Sequence, residues 1–210
     1  MNETLHTNDV LPEKKSRTGS FFSELIRFAL ITLFIVLPIR IYIAQPFIVS
    51  GSSMDPTFEN GEYLIVDELS YRLREPERGD VIIFRFPNDT SKFFIKRVIG
   101  LPGETVVLEG DGVMIENAEH PDGFPLDEAY VANRTFGTMR TTLALDEYFV
   151  MGDNRPASSD SRIWGSLKED LIIGRAFVRL LPVTRAAVLP GEHRYAGTAS
   201  SSATLDAPLN

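Results

Sequence analysis

A mostly β domain behind one amino-terminal apolar helix is the architecture that the sequence predicts, and three observations predict it. Residues 21–45 are dominated by apolar side chains, with Arg27 and Arg40 toward the two ends. From Pro46 to about Pro190 the pattern changes to short apolar runs broken by Gly, Pro, Asp and Asn, as expected of successive strands and turns. Turn chemistry stands between those runs: Gly110-Asp111-Gly112 reads as a hairpin turn, and Gly100 to Glu104 as a sharp reversal. With 210 residues, 43% hydrophobic and 24% charged, the chain is long enough for one core-bearing domain plus accessory segments.

Residues 1–20 are a polar tail carrying Lys14, Lys15 and Arg17. In the apolar segment that follows, the charge-free run Phe28 to Ile39 is 12 residues, which alone suits a signal-peptide core or a buried helix. Leu25 to Ala44 is 20 residues, about 30 Å of helix at ~1.5 Å per residue. That matches the hydrocarbon thickness of a bilayer if the two arginines snorkel to the interfaces. Pro38 lies late in the segment, where a membrane helix tolerates a kink. Three readings stand: an anchoring helix, a cleaved signal peptide, or a buried helix of a soluble domain. Lys14, Lys15, Arg17 and Arg27 precede the apolar run, and no Lys or Arg occurs between Arg40 and Arg72. For a spanning helix this keeps the amino end cytoplasmic and puts everything after Gln45 outside.

The expected strands are Tyr63–Asp67, Val81–Phe86, Phe93–Ile99, Thr105–Glu109, Val113–Glu116, Glu147–Met151 and Ile172–Leu181, within a domain covering 46–190. Residues 117–144 are acidic and weakly periodic, and read as an inserted loop or small β subdomain. The tail 191–210 is small and polar and is expected not to pack.

A net charge of −8 and a pI near 5.0 leave no basic stripe for a nucleic acid. Without cysteine there are no disulfides and no thiolate metal sites. The three histidines, His6, His120 and His193, lie in the tails and the insert, which argues against both a Ser-His-Asp triad and a metal site. What remains is a serine and a lysine. Ser50 to Phe58 reads SGSSMDPTF, and Lys96 sits in FFIKRVIG, an expected strand whose two faces are both apolar. A lysine desolvated there loses its preference for the charged form, and a neutral amine can take the proton of a serine hydroxyl. Taken alone, the serine stretch would be a solvated linker and the lysine a strand-edge residue. A third block, MGDNRPASSDSRIWG from Met151 to Gly165, reads as an Asx-rich loop that offers hydroxyls to orient a base and includes an Asp160/Arg162 pair.

These blocks, with GEYLIVDELSY and RGDVIIF between the first two and an apolar helix before them, resemble bacterial type I signal peptidase, the membrane-anchored leader peptidase, from about Leu25 to Pro182. The resemblance implies a signal-peptidase-type β domain. It implies Ser53 as acylating nucleophile, Lys96 as general base, Ser158 hydrogen-bonded to the lysine amine, Tyr71 packed beside the lysine, and Asp160 with Arg162 as a structural ion pair. Gly51 stands where some members carry an oxyanion-assisting serine, which leaves that work to the Ser53 amide with help from Ser52 or Ser50. Pro156 and Ala157 replace the family's usual Asp and Asn. An extended substrate is expected to add a strand near Pro46, Phe47, Ile48, Val49 and Ser50, and near Ser70 in the stretch Asp67 to Tyr71, with Phe47 and Phe58 reaching lipid. No cofactor and no metal are implied. The implied partners are the signal peptides of exported preproteins and membrane lipid, met by a monomer on the outer face of the plasma membrane. Two alternatives stand beside this reading: a self-cleaving repressor, for which the chain lacks a DNA-binding helical module, and a membrane-tethered β domain that only binds peptides.

Overall fold

The computed structural model describes residues 17–36, 44–131, 133 and 137–195. The chain divides into two compact units, Met1–Ile41 and Tyr42–Asn210. In the first, α1 (Arg17–Ile31) continues as a π-helical stretch, Thr32–Val36. Among the described residues no helix is long and apolar enough to cross a membrane. The helix expected over 21–45 therefore begins earlier, part of it lies outside the described residues, and it stops before Ala44, which already belongs to a strand.

The second unit holds twelve strands among its described residues: β1 (Ala44–Ile48), β2 (Tyr63–Asp67), β3 (Val81–Phe86), β4 (Asp89–Gly100), β5 (Thr105–Glu109), β6 (Gly112–Glu116), β7 (Phe124–Pro125), β8 (Met139–Thr142), β9 (Glu147–Met151), β10 (Leu167–Lys168), β11 (Ile172–Leu181) and β12 (Ala187–Val188). A short helix, α2 (Ser161–Trp164), lies between β9 and β10. All pairings are antiparallel. The large sheet runs β1-β2-β11-β3-β4-β9-β10, with β12 on β11, and a second sheet runs β7-β6-β5-β8.

Periodicity explains each strand's place. In β2 only Leu64 and Val66 are buried, as in a strand with one face to the core, whereas Val81 to Phe84 of β3 and Tyr148 to Met151 of β9 are buried in succession. Central strands need apolar side chains on both faces. Val81 and Ile83 join Val49, Met54, Phe58, Leu64 and Val66 on one side. Ile82 and Phe84 join Val98, Tyr148, Val150 and Leu167 on the other. The second sheet closes a third cluster, Val106, Leu108, Val113 and Ile115 against Ile99, Phe149 and Met151.

The segment 117–144 supplies β7 and β8 to that second sheet, on either side of β5 and β6. It also sends Leu126, Glu128 and Val131 into buried positions. Two expectations are corrected here. Phe58 has no exposed surface, because it anchors the loop after β1 inside the core rather than reaching lipid. The tail does not start loose at Gly191: residues up to Tyr195 are ordered against the domain, and Tyr195 is buried. An aromatic side chain that finds a hydroxyl partner overrides the polar composition of its neighbours.

Candidate active site

SGSSMDPTF folds as a loop nailed down at its far side. Met54 and Phe58 sink into the core, Phe58 N donates to Met54 O at 2.9 Å, and Ser53 between the anchors stays half-buried. Before it, Gly51 adopts φ +93°, a conformation that side chains with a Cβ rarely take, and its amide donates to Asn60 Oδ1 at 2.9 Å. That conformation accounts for glycine at this position.

Lys96 comes from β4, where its side chain is only 3% exposed. Its Nζ lies 2.7 Å from Ser53 Oγ and 2.8 Å from Ile95 O, and 5.4 Å from the centroid of the Phe94 ring. Burial lowers the amine from 10.5 to about 8, against the opposing pull of the Asp160 and Asp153 charges. Because the folded value is depressed, the native state is penalised at every pH below about 8, and the penalty fades as pH rises toward 10.5. Lys96→Met should therefore stabilise the protein near pH 7, by up to about 3 kcal/mol on the difference between 10.5 and about 8, with no gain above 10.5. Urea unfolding at the two pH values checks this, and equal stabilities near neutrality would mean that the amine is not desolvated.

A cavity of about 570 Å³ opens at this pair, between Phe47, Ile48, Val49, Ser50, Gly51 and Ser52 on one wall and β4 on the other, with Leu64 and Ile83 between them. Ala157 and Ser159 of the third block complete it. The large sheet curls enough to bring Phe47 of β1 to Phe93 of β4, four places along in strand order, with ring centroids 5.5 Å apart. β1 is an outer strand, and β4 pairs with β9 only from Arg97 onward, so the stretch before Lys96 has a strand neighbour on one side only among the described residues.

Other expected residues fall differently. Ser158 does not reach the amine: its Oγ is buried without a partner among the described residues. It sits against Gly152, where a Cβ would meet both Ser158 Oγ and Ser53 O at 2.3 Å. The 3-10 turn Arg155–Ala157, which Pro156 favours, leads the chain into that position. Tyr71 gives its hydroxyl to Asp80 Oδ2 at 2.8 Å and packs on the cluster containing Ile82, the register partner of Lys96. Ser70 bonds Asp67 through both its amide and its hydroxyl and does not line the cavity. The stretch after Asp67 is no strand edge either, since β2 is enclosed by β1 and β11 and a 3-10 turn follows it. Pro46 pairs with Ile65 beyond the cavity lining. Asp160 and Arg162 meet at 2.7 and 2.8 Å, and Asp160 also accepts from Gly152 N at 3.0 Å and caps α2.

Residues not anticipated from the sequence hold these parts together. Arg97, 1% exposed, grips Asp153 through Nε at 2.8 Å and Nη2 at 2.6 Å. Asp153 also accepts from Thr57 Oγ1 at 2.6 Å. Asn154 donates from its amide to Ser53 O at 3.0 Å and from Nδ2 to Ser52 O at 2.9 Å. Arg155 pairs with Glu128 of the insert through both nitrogens of its fork. One signal was available: Arg97 is a second cation inside a strand with two apolar faces, and such a charge has to be paired.

A serine hydroxyl beside an amine held near neutrality, in a cleft between two sheet edges, defines a class of serine hydrolases in which lysine replaces histidine. The family model described as "Signal peptidase, peptidase S26" matches residues 22–181, and the chain belongs to that family. It is 36% identical over 186 residues to "Probable signal peptidase I-2" of Synechocystis, covering 84% of this chain and 81% of that protein. It is 37% identical over 173 residues to "Probable signal peptidase I-1" of the same organism, 79% of this chain and 85% of that one. It is 39% identical over 164 residues to "Signal peptidase I" of Leptolyngbya laminosa, 74% of this chain and 77% of that one.

Proposed function

We propose that this peptidase removes signal peptides from exported preproteins, with Ser53 as nucleophile and Lys96 as general base. The contact of 2.7 Å between Lys96 Nζ and Ser53 Oγ carries the reading. The neutral amine accepts the hydroxyl proton as Ser53 attacks the scissile carbonyl, and the resulting ammonium returns it to the leaving amine. The same amine then deprotonates the water that releases the acyl group. Among the described residues the Ser53 amide donates to no other group, which leaves it available to the oxyanion. Gly51 and Ser52 shape that corner, and Asn154 fixes its carbonyls.

An extended substrate enters between β1 and the one-sided stretch of β4, using the backbone of Phe47 to Ser50 as an edge. Its side chains meet walls of Phe47, Leu64, Ile83 and Ile95, which suits small apolar residues such as alanine near the cut. The helix α1 and the π-helical stretch after it support the anchor: Phe21, Phe22, Leu25, Ile26, Phe28 and Leu30 of α1 and Phe34 beyond it are all exposed, an apolar surface that water would not favour and lipid would. The positive charges before it orient the amino end to the cytoplasm, so that residues 46–190 work outside as a single-pass enzyme. Nucleophile and base come from one chain, so a monomer has a complete dyad. A domain that only binds peptides leaves the desolvated lysine unexplained.

The test is cleavage of a preprotein by the purified full chain in detergent, with the product's new amino terminus read by mass spectrometry. We expect one cut after a small residue, blocked when that residue is made bulky. kcat/KM should rise about tenfold per pH unit below the amine's value and level off above it; that value is about 8. A profile flat across that range would exclude Lys96 as the base.

A further inference from the structure

The segment Gly191 to Tyr195 returns across the domain and completes the surroundings of Arg97, the residue that follows Lys96. Arg97 Nη1 donates to Gly191 O at 2.6 Å and to Gly79 O at 2.9 Å. The face of its guanidinium lies 4.0 Å from the centroid of the Tyr130 ring. Tyr130 in turn shares a 2.6 Å hydrogen bond between hydroxyls with Tyr195, which is 6% exposed. His193 packs edge-on against both tyrosines and donates from Nε2 to Asp127 O at 2.9 Å. The seat is tight, since a Cβ on Gly79 would stand 2.1 Å from His193 O.

Beyond Arg97 the contacts run on to the reacting groups. Arg97 holds Asp153, Asp153 holds Thr57 of the serine loop, and Asn154, next in the chain, holds the carbonyls of Ser52 and Ser53. We infer that the strap Gly191–Tyr195 is a positioning element of the dyad, acting through Arg97 on Lys96 from one side and on the Ser53 loop from the other. No residue of the strap lines the cavity, so it acts on turnover and not on substrate binding. The inference rests on the dyad reading above.

The experiment compares the full chain with one ending at Tyr195, one ending at Pro190, and a full-length Tyr195→Ala, each assayed on a preprotein with the folded fraction measured by near-ultraviolet circular dichroism. Ending at Tyr195 should leave kcat within about twofold, whereas ending at Pro190 should lower kcat per folded molecule about tenfold or more with KM little changed. Tyr195→Ala should show the same split more weakly. In an Arg97→Lys background the shortening to Pro190 should have much less further effect on kcat, because the element it acts through is already altered. An unchanged kcat in the folded Pro190 chain, a change in KM alone, or full additivity with Arg97→Lys would overturn the inference. If the Pro190 chain does not fold, an unchanged kcat in folded Tyr195→Ala does the same. Failure of the unaltered chain to cleave would instead reject the proposed function, which separates the two.

Discussion

Ser53→Ala is expected to abolish preprotein cleavage, with kcat reduced on the order of 10⁴-fold or more, while the melting temperature hardly moves. The hydroxyl contributes no anchoring: Met54 and Phe58 hold the loop from below, and Asn154 holds its backbone through the carbonyls of Ser52 and Ser53. Removing Oγ deletes one of two hydrogen bonds of the Lys96 amine and leaves the one to Ile95 O. Lys96→Ala should lose activity to a similar extent, because the base and nucleophile act as a unit and the double variant should be little worse than either single one. Turnover near the normal rate in either variant would remove the dyad from the mechanism.

Asp153→Ala is expected to be the most damaging substitution for stability, by about 3–5 kcal/mol, because it strands the buried Arg97 guanidinium without a counter-charge. For a domain of this size that corresponds to a fall in melting temperature on the order of 10 °C. The arginine has no route to water: Gly79 O and Gly191 O occupy Nη1, and Tyr130 covers its face. Activity should fall as well, since Thr57 loses its acceptor and Asn154 loses its fixed neighbour on the chain. Replacing both partners, Arg97→Met with Asp153→Leu, should recover much of the stability, because the desolvation penalty disappears along with the pair. Thermal melts of the single and double variants decide the matter, and a single variant as stable as the parent would show that the pair is not buried.

Most of the secondary structure was legible because strands and turns are written locally. Tyr63–Asp67, Val81–Phe86, Thr105–Glu109, Glu147–Met151 and Ile172–Leu181 have the limits that short apolar runs and the turn residues between them predict. Residues 117–144 were harder, since β7 and β8 are only two and four residues long and owe their form to the pairing of β5 and β6 beside them. The serine stretch and Lys96 stand out by their chemistry, and the family resemblance is what points to Ser53 within it. The arginine next to that lysine was passed over because its meaning depends on Asp153, 56 residues away.

The sequence by itself determined the mostly β character, the apolar amino-terminal segment, and a serine stretch and Lys96 as groups with chemistry to offer. The first two follow from apolar runs and turn chemistry and the third from the scarcity of other nucleophile and base pairs, while Ser53 within that stretch is what the resemblance to type I signal peptidase implies. Only the tertiary structure decided that the sheet curls until β1 faces β4, that Ser158 points at Gly152 instead of the amine, and that Gly191 to Tyr195 pack against Arg97. The reason is that burial belongs to the folded whole. A charge or hydroxyl is satisfied or orphaned by groups that come close only once distant segments have packed, and local pattern carries no record of which segments those will be.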